Sequence, residues 1–333
     1  MTGGVPIIDL APSQADDAAG AQQVADAVAR ACRDYGFFQI VGHGIPEALI
    51  DQVFAETRRF FALPMAEKRK LARSKDNPRG YYDRELTKNA RDLKEVFDFG
   101  LEPYPALPSD HPKNHLPVDG YNQWPDDRPA FKATLSDYFC ACETLGHRLL
   151  AMFCLGVGAP RDVLSPYFGS DHTSFMRLNH YPLEDILEAE QAREVTPLGD
   201  MALHHHTDAG VLTILLQDEV GGLQVYAQNG WRDIEPIPGA LVINVGDMMQ
   251  VWSNDLYPAA LHRVTPITDR PRLSLPFFFN PSYDTDCAPL EALIGEEGPH
   301  YRPVNWGHFR QARTDGDYAD YGKEIQLEDF RLV

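Results

Sequence analysis

The sequence predicts a mainly β, α+β chain in which helices flank a β-sandwich or jelly roll. Three observations predict it. The second half consists of short apolar or alternating runs bounded by Gly, Pro, Asn and Asp, the pattern of antiparallel strands. One long amphipathic stripe of helical period precedes them. With 333 residues and 44% hydrophobic content, the chain can bury a large core, as one big domain or as a core with an integrated flank.

Taken in order, Val5-Pro6-Ile7-Ile8-Asp9-Leu10 is a short apolar strand candidate. Val24, Val28, Ala31 and Tyr35 follow at spacings of 4, 3 and 4, one face of a helix that Gly36 ends. Phe37-Phe38-Gln39-Ile40-Val41 reads as a buried strand, and 46–61 as a second helix with Pro near its start. From 76 to 129 the chain is rich in Pro, Asp and Asn, which predicts long loops with short inserted elements; such loops in a compact domain are usually functional or mobile. Phe131, Leu135, Tyr138, Cys142, Leu145, Leu149 and Met152 alternate spacings of 4 and 3, so 129–157 is one long helix with a stripe toward a core. Strands are predicted over 173–181, 211–216, 223–226, 231–234, 241–245 and 273–279. Asn229-Gly230 marks a tight I′ hairpin between two of them, because both residues accept positive φ. The chain thus reads as one integrated domain: an amino-terminal region over 1–128, a supporting helix and connection over 129–171, a strand-rich core over 172–285 and a tail over 286–333. In that tail Trp306, Phe309 and Tyr318 dock as a helix while its charged residues stay solvated.

A formal net charge of −19 argues against a nucleic-acid partner, because phosphate binding needs a basic surface. No apolar run approaches the ~18 residues of a membrane span. Five scattered cysteines, without a signal-peptide pattern at the start, point to a reducing cytoplasm. Cys140 and Cys142 fall in the long helix, where packing is their expected role.

Chemistry concentrates at His204-His205-His206-Thr207-Asp208-Ala209-Gly210, with His262 54 residues beyond Asp208 and Arg272-Leu273-Ser274 ten residues after His262. In a strand, alternate side chains share a face, so His206 and Asp208 can point together while Thr207 points away, and His262 arrives from a partner strand. Two imidazoles and one carboxylate on one face of a ferrous ion leave the other face open for a chelating co-substrate and dioxygen. No thiolate lies near, which disfavours zinc, copper(I) or iron–sulfur sites.

His206-Thr207-Asp208-Ala209-Gly210 running into Val211-Leu212-Thr213-Ile214-Leu215-Leu216-Gln217-Asp218 and Gly221-Gly222-Leu223-Gln224-Val225 resembles the 2-oxoglutarate/Fe(II)-dependent dioxygenases of the isopenicillin N synthase-like family. Ile7-Ile8-Asp9-Leu10, Gly36-Phe37-Phe38, Gly42-His43-Gly44-Ile45-Pro46 and Arg79-Gly80-Tyr81 look like that family's amino-terminal region. Arg177-Leu178-Asn179-His180-Tyr181-Pro182, Asn244-Val245-Gly246-Asp247, His262-Arg263-Val264 and Arg272-Leu273-Ser274 look like its catalytic half, so the likeness covers nearly the whole chain. The resemblance implies an α+β, mainly β fold with a double-stranded β-helix (jelly-roll) core flanked by helices. It implies His206, Asp208 and His262 as iron ligands. Arg272 and Ser274 would anchor the distal carboxylate of 2-oxoglutarate, helped by Tyr181, with Asn179 near the metal-chelating end. The planar Arg fork and a hydroxyl two residues along the same strand suit a carboxylate. The implied cofactors are Fe(II), 2-oxoglutarate and dioxygen. The implied reaction couples decarboxylation to succinate and carbon dioxide with hydroxylation, desaturation or ring closure of a small organic substrate.

The remaining residues have plainer readings. His205 is a packed or surface imidazole, His204 a structural histidine or a group lining the site, His43 structural, and Asp247 a turn residue. Arg79, Tyr81, Phe97, Leu223, Phe277 and Tyr283 are candidates to line a mostly apolar and aromatic substrate mouth. The loops of 76–129 and the tail from 290 are candidates for a lid. Two other functions stay open on the sequence: a 2-oxoglutarate-independent oxidase or oxidative cyclase of the isopenicillin N synthase type, in which Arg272 holds a substrate carboxylate, and a catalytically silent ligand-binding protein on the same fold.

Overall fold

The computed structural model describes residues 4–14, 17–74, 77–87, 90–101, 120–318 and 325–332. Helix α1, Ala18–Tyr35, begins where the Asp17 carboxylate accepts the Ala19 amide and ends at Gly36, whose φ of 66° belongs to the left-handed region. A Cβ at Gly36 would also lie 2.7 Å from the Pro258 carbonyl oxygen, so glycine serves both the turn and a close approach. Helix α2 is Glu47–Phe61, opened by Pro46, and α3 is Pro129–Gly156, the long helix that the 4-3 stripe predicts. Every residue of that stripe is buried. Asp247–Trp252 forms α4, and Trp306–Tyr318 forms α5.

The strands are β1 Ile7–Asp9, β2 Phe37–Val41, β3 Gly80–Tyr82, β4 Glu95–Gly100, β5 Phe175–Tyr181, β6 Leu203–His206, β7 Leu212–Gln217, β8 Leu223–Ala227, β9 Gly230–Asp233, β10 Leu241–Val245, β11 His262–Val264 and β12 Arg272–Phe279. Eight form one sheet in the order β1-β2-β10-β7-β12-β5-β4-β3, and four form a second sheet in the order β9-β8-β11-β6. All pairs are antiparallel except β1 with β2. Two facing sheets of this kind, with helices outside, make the jelly-roll core.

The large sheet is buried on both faces, which explains why its strands read as continuous apolar runs. On its outer face Phe38, Ile40, Ile214, Leu216, Ile243, Leu275, Phe277 and Phe279 join one core with α1, α2 and α3. On the inner face a smaller core includes Phe37, Leu215, Val242 and Tyr181, together with Leu223, Val225 and Val264 of the second sheet. Toward one end of the roll the inner positions turn polar, and there the cavity lies. No described helix is long and apolar enough to cross a membrane.

Two local expectations need correction. The hairpin turn is Gln228-Asn229, with φ of 51° and 64°, because Ala227 pairs with Gly230 and keeps Tyr226 opposite Trp231, ring centroids 5.5 Å apart. The turn is therefore one residue earlier than Asn229-Gly230. Within 76–129, a region read as long loops with short inserted elements, β4 is a buried inner strand of the large sheet between β5 and β3. Its charges hide it: Glu95 pairs with Lys68 at 2.6 Å, and Asp98 with Arg177 at 2.8 Å, so both carboxylates are satisfied inside. Residues 102–119, the middle of the proposed lid loop, lie outside the described residues.

Phe277→Ala removes a fully buried ring that meets Phe139 edge-on at 5.0 Å. Denaturant unfolding should show a loss of about 3–5 kcal/mol, with ligand binding by the folded fraction unchanged.

Candidate metal centre

Strand phase and sheet register build the centre. His206 ends β6 and sits directly across from His262, the first residue of β11. Asp208 follows two residues later, and its Oδ1 lies 3.7 Å from Nε2 of each imidazole. One ligand atom from each of the three falls within 4.8 Å of the others, a cluster that a single divalent ion could bridge. The two rings lie 4.3 Å apart, tilted by 52°.

Each group is oriented from behind. His206 Nδ1–H donates to the His204 carbonyl at 2.9 Å and His262 Nδ1–H to the Ala260 carbonyl at 3.2 Å, which directs the Nε2 lone pairs inward. Burial, aided by the neighbouring imidazole of His262, pushes His206 down to about 3, so it is a neutral donor. Burial opposes ionisation of Asp208, but His262, His206 and hydrogen bonds from Thr213 and Asn244 hold its carboxyl below the usual range. Thr213 Oγ1 and Asn244 Nδ2 both donate to Oδ2, leaving Oδ1 toward the imidazoles. Two imidazole nitrogens and one carboxylate oxygen suit a ferrous ion.

Asp247 is more than a turn residue. It opens α4, its backbone N–H donates to the Asp208 carbonyl at 2.8 Å, and its buried carboxyl, hydrogen-bonded to Thr207, is pushed up to about 7 by burial. Gly246 beside it touches the ligand loop so closely that a Cβ would lie 2.3 Å from the Gly210 carbonyl oxygen.

Arg272 lies deeper in the cavity on β12 and is 1% exposed. Its guanidinium donates to Ser274 Oγ at 3.2 Å and Gln217 Oε1 at 3.1 Å and lies 5.0 Å from the Tyr181 ring centroid. No described carboxylate makes an ion-pair contact with it, Asp218 acting on it only from farther away, and its Nε, Asn179 Oδ1 and Gln217 Nε2 are buried without partners. Two of these atoms, Arg272 Nε and Gln217 Nε2, are N–H donors beside a buried cation, and an anion with oxygen acceptors would satisfy them, while Asn179 Oδ1 is itself an acceptor and needs a donor or a cation. A dicarboxylate fits that demand. Gln217 was absent from the sequence expectation; the strand phase Thr213-Leu215-Gln217 was the available signal.

The other candidates divide by parity. Even-numbered β12 residues from Arg272 to Phe278 face the cavity, so Phe278 lines it and Phe277 faces α3. Tyr81 and Phe97 also face outward, against Phe60 at 6.4 and 4.9 Å, and Tyr283 packs on Gly307 at the start of α5. These four do not line the cavity; Arg79 and Leu223 do. His204 is held by Asp92, Nδ1 to Oδ1 at 2.9 Å, and is a structural histidine, while His43 bridges the Gly239 carbonyl and the Ile45 amide in a turn. His205 is exposed beside Trp231. The tail docks as expected through Trp306 and Phe309, with the Tyr318 side chain outside the described residues, but its charges are not simply solvated: Arg310 and Arg313 line the cavity. The lining is largely apolar, as expected, but it also carries basic side chains that the sequence reading did not include.

Comparison with known proteins agrees with this geometry. Residues 5–127 match the model for the non-haem dioxygenase in morphine synthesis N-terminal family, and residues 172–281 match the 2OG-Fe(II) oxygenase superfamily. The chain is 36% identical to a 2-oxoglutarate-Fe(II) type oxidoreductase of Emericella nidulans, covering 90% of this chain and 86% of that one. The structure of a full-length Neurospora crassa protein in complex with alpha-KG and thymine superposes with a TM-score of 0.79 at 26% identity, covering 94% and 96% of the two chains. JOX2 in complex with 2OG, Fe and JA gives 0.74 at 30% identity, over 93% and 84%.

Gly246→Ala should lower stability by about 1–3 kcal/mol through the clash with Gly210, read as a reduced melting temperature of the metal-free protein.

Proposed function

The chain belongs to the 2OG-Fe(II) oxygenase superfamily, and on that premise we propose that His206, Asp208 and His262 hold its iron, with Arg272 and Ser274 anchoring the distal carboxylate of 2-oxoglutarate. The enzyme is a 2-oxoglutarate/Fe(II)-dependent dioxygenase that oxidises a small organic substrate. Iron, with dioxygen and 2-oxoglutarate, supplies oxidative decarboxylation to succinate and carbon dioxide coupled to oxidation of that substrate.

The chain's residues supply placement. Nε2 of both histidines and Oδ1 of Asp208 define one face, because Nδ1 of each ring and Oδ2 of Asp208 are already engaged. Arg272 presents its fork across the cavity, with Ser274 Oγ adding a hydroxyl on the same side and Gln217 holding the guanidinium. Tyr181 lies beneath that guanidinium and Asn179 beside Ser274, with its Oδ1 turned to no other partner. The single observation that carries this reading is the buried Arg272, with no described carboxylate in ion-pair contact, lining the same cavity as the His-Asp-His cluster from the opposite sheet. All five cysteines are free and four are buried, which supports a reducing, cytoplasmic setting suited to ferrous iron.

Reconstitution with ferrous iron under nitrogen, followed by 2-oxoglutarate and oxygen, should yield succinate in step with substrate oxidised. Substrate oxidised without succinate would reject the co-substrate assignment. Asp208→Ala should abolish turnover and iron binding while the fold persists, and full activity in that variant would refute the ligand set. Asn244→Ala leaves the ligands intact but removes one of the two hydrogen bonds to Asp208 Oδ2, the other coming from Thr213, so iron affinity should fall about 10–100-fold. Arg272→Ala should weaken 2-oxoglutarate binding by about 2–5 kcal/mol in calorimetry, roughly 30-fold or more.

A further inference from the structure

We infer that Asn280 selects the substrate: its side-chain amide donates to a carbonyl oxygen carried on a small, flat, apolar molecule. The inference deepens the proposed function and rests on it, since iron and 2-oxoglutarate take the inner part of the same cavity. Asn280 follows β12 directly and keeps its parity, so Arg272, Ser274, Pro276, Phe278 and Asn280 all line that cavity. It stands eight positions beyond Arg272, about 26 Å of extended chain, so one small ligand does not engage both. The strand thus has a deep end for the co-substrate and a far end whose polar group has no role yet.

Asn280 is 2% exposed, and its backbone is pinned. Ser174 Oγ accepts its N–H at 3.0 Å, while the carbonyl of the next residue, Pro281, accepts from the Thr173 amide at 3.1 Å and the Thr173 hydroxyl at 2.9 Å. Trp306 of α5 donates to that hydroxyl at 2.8 Å, which ties the turn to the docked tail. A side chain rooted this firmly meets a ligand without a large ordering cost.

The two edges of the amide have different surroundings. Oδ1 is buried with no hydrogen-bond partner and lies 1.9 Å from the point where a Cβ on Gly210 would stand, so it packs on the backbone of the ligand loop two residues beyond Asp208. Nδ2 lies 3.6 Å from that point, on the far edge, and among the described residues only the backbone of Asn280 is hydrogen-bonded. Unlike Oδ1 it is not shut away, so its N–H groups open on the cavity. Turning the amide over would bury two N–H donors against Gly210 in place of one acceptor, and orphaned donors are the rarer case in folded proteins. The walls beside it are flat and apolar: Phe278 stacks on Phe175, centroids 4.6 Å apart at 24°, with Pro276 one step deeper. When an apolar body fills this space and displaces water, the N–H groups lose their solvent partners, and only an acceptor on that body replaces them. A pocket of this kind rejects an analogue without the acceptor, because its own polar group is left unpaired. Within about 360 Å³, shared with 2-oxoglutarate, only a small molecule fits.

The test is calorimetry on the full chain loaded with ferrous iron and 2-oxoglutarate under nitrogen, with two bicyclic probes of similar shape. One is 1-indanone, whose polar group is an acceptor oxygen; the other is indole, whose polar group is an N–H donor. Binding of 2-oxoglutarate is measured first in every variant, so that failure of the Arg272 assignment appears there and not in the probe ratio. The ratio of affinities should favour 1-indanone and fall about five- to tenfold in Asn280→Leu, while 2-oxoglutarate affinity stays within about twofold. Asn280→Asp puts an acceptor where the donor stood, so its ratio should move toward indole, a reversal that a purely structural role would not produce. Each variant tests the inference if the other fails to fold, and melting curves verify folding. No binding of either probe, a ratio that both variants leave unchanged, or a change in ratio matched by an equal loss of 2-oxoglutarate binding overturns the inference.

Discussion

Cross-strand register is the constraint on which the rest of this structure depends. His206 and His262 are direct partners across β6 and β11, and Asp208 returns to the same side two residues on. Because side chains alternate along a strand, a slip of one residue would turn a ligand out of the cavity and bring an apolar neighbour in. The same parity aligns Arg272 with Ser274 on β12, Asn179 with Tyr181 on β5 and Thr213 with Gln217 on β7. The site is therefore a property of two sheets in fixed register.

Two-sided burial of the large sheet keeps that register in place. Outward residues lock into α1, α2 and α3, while inward residues pack on the second sheet or face the cavity. Rigid strands hold polar groups that would be costly if left alone in an apolar interior. Where the inner face must carry charge, cations and carboxylates neutralise one another, as with Glu85, Asp98, Lys94 and Arg177. Arg272 departs from this among the described residues in having no carboxylate in ion-pair contact, which is what the proposed anionic co-substrate would supply. Helix α5, with Arg313 bonded to the carbonyls of Ile325 and Thr207, then brings a basic group to the ligand loop from a part of the chain remote in sequence.

Much of the fold was legible because its signals are local. The stripe from Phe131 to Met152 has helical period, and the six predicted strands of the second half all form, with ends shifted by a residue or two. Glu95–Gly100 was not legible, since its charged residues read as exposed until Lys68, His180 and Arg177 arrive from other elements. The hairpin turn missed by one residue because the pairing of Tyr226 with Trp231 outweighs the preference of Asn-Gly for positive φ. Phe277 was chosen against the parity of Arg272 and Ser274, which already pointed to Phe278.

By itself the sequence determined the fold class, the His-Asp-His cluster and the spacing to the Arg-x-Ser pair, because helix period, strand alternation and ligand chemistry are written in neighbouring residues. Only the tertiary structure decided the second layer and the mouth: Gln217 behind Arg272, Thr213 and Asn244 behind Asp208, and Arg310 and Arg313 above the centre. These groups meet through sheet register and helix docking across long stretches of chain. Local periodicity says which face a side chain occupies, but not which distant face will lie opposite it.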